Sequence, residues 1–199
     1  MSKGEDTRQQ ILDGGTQLAS KLGIRGVTIG RLATHLGLSK SGLFAHFKSK
    51  DALDAALIAY AGGLFVDRVV RPALQQPRGE PRLRALFFAA LAWPTQSGLP
   101  GGCPLIAAAG ELDDCPGAAR DALVENQRDW LDTLANIVRV AEKEGHFTGA
   151  LSAEQFAWEM YGIQLVHHLA TRLLNDRKAD QQATIAFEAL VQRAKAPHA

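Results

Sequence analysis

Residues 28–47 read TIGRLATHLGLSKSGLFAHF, and their spacing predicts two short helices joined by a tight turn. Thr28 is placed to cap the first helix, whose inward face is Ile29, Leu32, Ala33 and Leu36. Gly37 supplies the left-handed residue that ends it. Ala33 is small enough for a second helix to cross closely, and Leu38 fills the gap between the two axes. Ser39 caps that second helix, which buries Leu43 and Phe47. Its outer side keeps Ser39, Lys40, Ser41, Gly42, Ala45, His46 and Lys48, small polar groups and cations with little apolar bulk. Insertion into a DNA major groove requires a face of this kind.

The charge distribution points the same way. Residues 1–50 hold eight Lys or Arg against three Asp or Glu, whereas residues 51–199 hold fourteen against eighteen. A whole-chain net charge of +1 therefore hides a basic end and an acidic body, as suits a chain that meets phosphate with one end only. With 199 residues, 46% hydrophobic and 22% charged, the chain is long enough for one DNA-contacting module, residues 1–50, fused to one larger unit, residues 51–199. The opening MSKGEDTRQQ does not read as a signal peptide, and the longest apolar run, ALFFAALAW at 85–93, is too short to span a bilayer. A cytoplasmic protein without a membrane partner is expected, with Cys103 and Cys115 reduced.

Nearly everything else reads as helix, an all-α fold. A first helix is expected from about Asp6 to Leu22, with Ile11, Leu12, Leu18 and Leu22 inward, Gly14 and Gly15 weakening its middle and Gly23 ending it. After the helix-turn-helix, Ser49 caps a long helix that runs towards Pro72. QQPRGEP at 75–81 is a break, and the next helix is expected to be interrupted at Pro94. Cys103 and Pro104 open a short helix. Residues 117–144 form a periodic helix with Leu123, Gln127, Trp130, Leu134, Ile137 and Ala141 on one stripe, widened by Leu131 and Val138. Ser152 and Gln155 form a capping box for the next helix, 152–174. That helix is apolar on two sides, Phe156, Met160, Ile163, His167 and Ala170 on one, Trp158, Tyr161, Leu165, His168 and Leu169 on the other. A single burial does not need both, so one side is expected to meet a second protomer. The last helix, 180–195, adds Phe187, Leu190, Val191 and Ala194 as a partner stripe, and the two helices together suit a four-helix bundle across a two-fold axis.

The segment TRQQILDGGTQLASKLGIRGVTIGRLATHLGLSKSGLFAHFKSKDAL, residues 7–53, resembles the N-terminal domain of the TetR family of bacterial one-component transcriptional regulators, and the likeness covers roughly residues 7–57. GGCPLIAAAGEL at 101–112 looks like a segment found in one branch of it. The resemblance implies an α-helical homodimer that binds a palindromic operator in double-stranded DNA, usually as a repressor, and releases it when a small-molecule effector enters the C-terminal domain. Carried over by position, Thr28 contacts phosphate, Lys40, Ser41 and Gly42 approach base edges, and Phe44, His46 and Lys50 meet the backbone. Phe44 stands where tyrosine is frequent, and Gly30 and Gly42 where larger residues are. Lys40, Lys48, Lys50 and Arg31 supply sequence-blind attraction, leaving specificity to half-site spacing and DNA shape. Of the arm, Lys3 and Arg8 are either phosphate contacts or unfixed chain.

By the same analogy Phe65, Phe88, Trp93, Trp130, Trp158, Tyr161 and His167 are candidates to line an effector cavity, against the plainer reading that aromatics at helical spacing are core. The apolar stripes carry no clear Arg or Lys, which favours a mainly apolar effector. Cys103, at a helix N-terminus, is a further candidate, and as an alternative its oxidation or alkylation is the inducing event. Against this stands the role of a small apolar filler. No catalytic residue, cofactor or metal site is expected: H-E-x-x-H, G-x-S-x-G, C-x-x-C and phosphate-loop orders are absent, and adjacent His167 and His168 diverge by about 100° on a helix. A purely protein-binding helical scaffold leaves the basic first quarter unexplained.

Overall fold

The structure, a computed structural model, describes residues 3–195, and every regular element among them is helical. In order these are α1 (Lys3–Leu22), α2 (Ile29–Leu36), α3 (Lys40–His46), α4 (Lys50–Phe65), a π-helical stretch (Val66–Val70), α5 (Arg71–Leu74), α6 (Glu80–Gln96), α7 (Pro104–Leu112), α8 (Ala118–Lys143), α9 (Ala153–Arg172) and α10 (Ala179–Lys195). Contacts divide the chain into two compact units. One takes the chain up to Phe65 together with Thr95–Asn126, and the other takes Val66–Pro94 together with the chain from Gln127 on.

In the first unit α1 starts at Lys3, three residues earlier than the spacing suggested, with Glu5 and Asp6 in the first turn where the helix dipole favours acids. Ile11 and Leu12 are buried, but Leu22 is 47% exposed because the chain turns away at Gly23, φ 74°. The two mid-helix glycines have a packing cause. A methyl on Gly14 would lie 2.6 Å from Leu36 Cδ2, and one on Gly15 would lie 2.6 Å from Leu57 Cδ2, so α2 and α4 rest against bare backbone. Burial of Ile11, Leu32, Leu43, Leu53 and Leu57 closes the core of this unit.

The helix expected to run on towards Pro72 changes character at Val66, where five residues widen into π geometry before α5. Proline lacks an N–H, and its ring crowds the carbonyl four residues back, here that of Arg68. The wider turn relieves both. Pro94 does less damage than expected: α6 passes through it and ends two residues later, so only a last-turn hydrogen bond is forfeited. The capping box at α9 is half made. Ser152 Oγ accepts from the Gln155 N–H at 3.2 Å, but the Gln155 side chain turns along the helix to donate to Glu159 at 2.9 Å.

In the second unit Phe87 stacks on Phe187 with ring centroids 3.8 Å apart, and Phe87, Phe156, Phe187, Leu134 and Met160 are fully buried. The α10 stripe of Phe187, Leu190, Val191 and Ala194 is thus inside its own protomer, not offered to a partner; residue 187 is taken by α6. Arg84 clamps the same two helices. It donates to Glu80 at 2.8 Å and forks onto Glu188 at 2.5 and 2.9 Å, while Lys195 reaches Glu80 at 2.8 Å.

These bonds give a pH dependence of known sign. The Arg84 hydrogen bond holds the Glu188 carboxyl below its ordinary value; burial pushes Glu80 up, but bonds from Lys195 and Arg84 outweigh it and leave Glu80 lowered as well. Carboxylates depressed in the folded state contribute stability that is present above the ordinary glutamate value of 4.5 and is lost as pH falls through the lower folded value. Arg84→Met is therefore expected to lower the thermal midpoint by about 2–4 °C at pH 7. At a pH well below 4.5 the difference from wild type should shrink, which melting curves at both pH values check.

Candidate nucleic-acid interface

The helix-turn-helix is fixed by its caps. Thr28, extended at φ −84° and ψ 155°, accepts the Arg31 N–H at 3.2 Å. At the other end Gly37 is left-handed, φ 65°, and the Leu38 N–H returns to the Ala33 carbonyl at 2.9 Å. Ser39 Oγ accepts the Gly42 N–H at 3.0 Å and lies 3.2 Å from Ser41 Oγ. Leu32, Ala33, Leu43 and Phe47 are buried, as the spacing required, while Ile29 and Leu36 are half-buried.

What α3 leaves uncovered is Lys40, Ser41, Gly42, Phe44 and Ala45, followed by Lys48; His46 is half-buried. Phe44 is 49% exposed, an apolar ring on a polar face. The Lys40 stem lies near Gly30, where an added methyl would stand 3.5 Å from Lys40 Cε. Arg31 is exposed, and its guanidinium donates to the Gly26 carbonyl at 3.2 Å, which holds it beside the start of α2. Arg8 is exposed and lies over the Phe47 ring, 5.3 Å from its centre; the side chain of Lys3 lies outside the described residues. Lys50 is differently engaged: its ammonium donates to the Ile24 carbonyl at 3.1 Å and to Asp54. Burial raises Asp54 above the usual carboxylate range against the pull of Lys50, with the charges of Asp51 and Glu111 adding to the rise.

Several ties that sequence reasoning missed hold this headpiece. Glu111 on α7 accepts the N–H groups of Ile24 and Arg25 at 3.2 and 2.9 Å. Asp51 accepts those of Ala118 and Ala119 at 2.9 and 3.2 Å, capping α8 from α4. The Gly101 N–H donates to Ser20 Oγ at 3.1 Å. Their partners stand 67 to 87 residues apart, so no local spacing announces them. The one available signal was at α8, whose start in CPGAA contains no capping side chain.

The effector candidates fall into both units. Phe65, half-buried, and Cys103, buried at the N-cap of α7, belong to the first. In the second, Trp93 is buried, Phe88 is 44% exposed, and Trp130 donates to Gln164 at 3.2 Å. Tyr161 donates to Gln127. Trp158, 69% exposed, and His167, buried with Nε2 2.7 Å from Asp180, line a groove of about 530 Å³ between α9 and α10 together with Val166, Ala170 and Ala183. Beside them, burial and then Arg172 lower the pKa of His168. Along α9 the exposed large apolar side chains are Trp158, Leu165, Val166 and Leu169, with Leu173 and Leu174 following, whereas Phe156, Met160 and His167 are buried. Of the second face read from the sequence, Tyr161 and His168 are half-buried and the other three exposed.

A capped helix-turn-helix within a basic amino-terminal segment, residues 1–50, followed by further helices, has the form of a DNA-binding regulator. The model of the bacterial regulatory proteins, tetR family, matches residues 11–57, and that of the tetracyclin repressor-like C-terminal domain matches residues 79–187. The chain belongs to the TetR family of transcriptional regulators. Over 50 residues, 25% of this chain and 27% of the relative, it is 42% identical to the HTH-type transcriptional repressor Rv1474c of Mycobacterium tuberculosis; the match thus spans about a quarter of that protein. The fold is similar to a TetR-family regulator of Cytophaga hutchinsonii (TM-score 0.86, 19% identity, 99% and 98% of the two chains) and to one of Chloroflexus aurantiacus (0.85, 22%, 96% of each). It is also similar to AibR in complex with isovaleryl coenzyme A and operator DNA (0.70, 21%, 90% and 97%). No helix among the described residues is long and apolar enough to cross a membrane.

Proposed function

We propose that the protein is a repressor that binds a palindromic operator as a homodimer, through residues 1–50, and is released when a small, mainly apolar effector enters the helical body. The observation that supports the reading is the uncovered face of α3, where Lys40, Ser41 and Gly42 are exposed on a helix fixed at its start by Ser39, with Lys48 exposed just beyond its end. AibR, a fold neighbour, is known with both an acyl-coenzyme A and operator DNA, which supports the pairing of the two ligands. The exposed apolar side of α9 supports the dimer. Thr28, Arg31, Ser39, Phe44 and His46 complete the DNA-facing set.

Mechanistically, two recognition helices enter successive major grooves only when about 34–36 Å apart. Effector entry moves α4 and spoils that separation, and a coupling of about 1–3 kcal/mol changes occupancy roughly five- to 150-fold. A gel-shift titration on the DNA upstream of its own coding sequence tests the reading. Lys40→Ala is expected to weaken binding about tenfold and to lower the slope of log affinity against log salt by about 1, with dimerisation intact. Unchanged affinity sinks this placement of α3.

A further inference from the structure

The loop between α1 and α2 is held from outside the helix-turn-helix. Glu111, on α7, accepts the backbone N–H groups of Ile24 and Arg25 with its two carboxylate oxygens, at 3.2 and 2.9 Å. On the far side of the same residue Lys50 donates to the Ile24 carbonyl at 3.1 Å, and the Ile24 side chain is buried. Ile24 is thereby pinned by α7 through its N–H and by α4 through its C=O. Gly23 is shaped to admit the acid: it takes a left-handed φ of 74°, and a methyl there would fall 2.1 Å from Glu111 Oε1.

Consequences for the recognition helix follow from the short chain beyond this clamp. From Arg25 to the α2 cap at Thr28 only two residues intervene, and they are tied by turn bonds from Val27 N–H to the Ile24 carbonyl and from Thr28 N–H to that of Gly26. Arg31 donates to the Gly26 carbonyl as well. The start of α2 is therefore registered on Glu111, and α3 is registered on α2 by the Gly37 turn. Two amides bonded to one carboxylate are charge-assisted and directional, which fixes orientation more firmly than apolar packing does.

We infer that Glu111 is a positioning residue for operator binding: from α7 it sets the angle at which the helix-turn-helix is presented to DNA. The inference rests on the DNA-binding reading above and adds to it a control point outside residues 1–50. Loss of the carboxylate leaves α3 and its cations intact but lets them wander, so fewer phosphates are met at once.

The test compares wild type, Glu111→Ala and Glu111→Gln as full-length chains. Amide hydrogen exchange without DNA reads the clamp: protection of Ile24 and Arg25 should fall in Glu111→Ala and fall less in Glu111→Gln, which keeps one acceptor oxygen. Gel-shift titration on the upstream fragment should give affinity about ten- to hundredfold weaker for Glu111→Ala, with Glu111→Gln between. The salt slope separates positioning from mere loss of folded protein, since a smaller active fraction leaves the slope unchanged whereas misplaced cations lower it. Unchanged exchange, unchanged affinity beside a binding wild type, or weaker affinity at an unchanged slope each overturns the positioning role. Failure of wild type itself to bind any duplex at low salt overturns the reading beneath it, and the exchange data then still report whether the clamp exists.

Discussion

If the homodimer proposed above packs through α9, Val166→Asp is expected to give a folded monomer with operator affinity about 10² to 10⁴ lower than that of wild type. Val166 is 65% exposed on α9 and lines the groove between α9 and α10, so the substitution removes little from the protomer's own core. Around it stand Trp158, Leu165, Leu169 and Leu173, a contiguous apolar strip at helical spacing. The groove floor is small: Gly162, Ala170, Ala179, Ala183 and Ala186 let a helix approach closely. A carboxylate at the centre of such a contact would be buried without a partner, at a cost that few dimers survive. With one headpiece per particle, the second half-site is no longer engaged at high effective concentration. Light scattering and gel shift on the same sample check the two halves of the claim. A dimeric Val166→Asp removes α9 from the assembly, and a monomeric one with undiminished operator affinity shows that a single headpiece suffices for binding.

How much of this was legible beforehand depends on the distance over which each signal acts. Thr28, Gly37, Ser39 and Leu43 lie within one turn of the groups they cap or cover, and the sequence therefore predicts the headpiece closely. The body was legible as helices, because periodicity survives at any burial, but the partners of each face were not. Phe187, read as part of an intersubunit stripe, stacks on Phe87 a hundred residues away, and nothing in the spacing of either distinguishes those fates. Helix irregularities are similarly silent. Pro72 announces a stop, yet the chain answers with a π-helical stretch, while Pro94 announces one and is simply carried through. Glu111, Asp51 and Gly101 were missed because each bond has a backbone N–H as its donor, of Ile24, Ala118 and Gly101 itself, and backbone carries no residue-specific mark. Of the effector candidates, Trp130 acquires a polar partner on α9 and Tyr161 one on α8, whereas Trp158 is exposed.

Gly101→Ala is expected to be the most destabilising single methyl in the first unit. A Cβ at this position would lie 1.6 Å from the Ser20 carbonyl oxygen, 2.0 Å from its carbon and 2.5 Å from the Lys21 nitrogen, all of them backbone atoms of α1. No rotamer change relieves such an overlap, so the 97–103 loop must lift away from the end of α1. Lifting breaks the bond from Gly101 N–H to Ser20 Oγ and unseats a serine that is only 7% exposed. Overpacking of this kind costs about 3 kcal/mol, which in a chain of this length lowers the thermal midpoint by roughly 6–12 °C. Gly110 supplies the control. It lies on the exposed side of α7 with nothing within 4 Å of an added Cβ, so Gly110→Ala should raise the midpoint through helix propensity, by about 1 kcal/mol at most. Two glycine-to-alanine changes nine residues apart thus carry opposite signs, and calorimetry on both chains reads them directly. A Gly101→Ala protein that melts with wild type would mean that the loop is not seated on α1, and with it the docking of α7 beside the α1–α2 turn would fall.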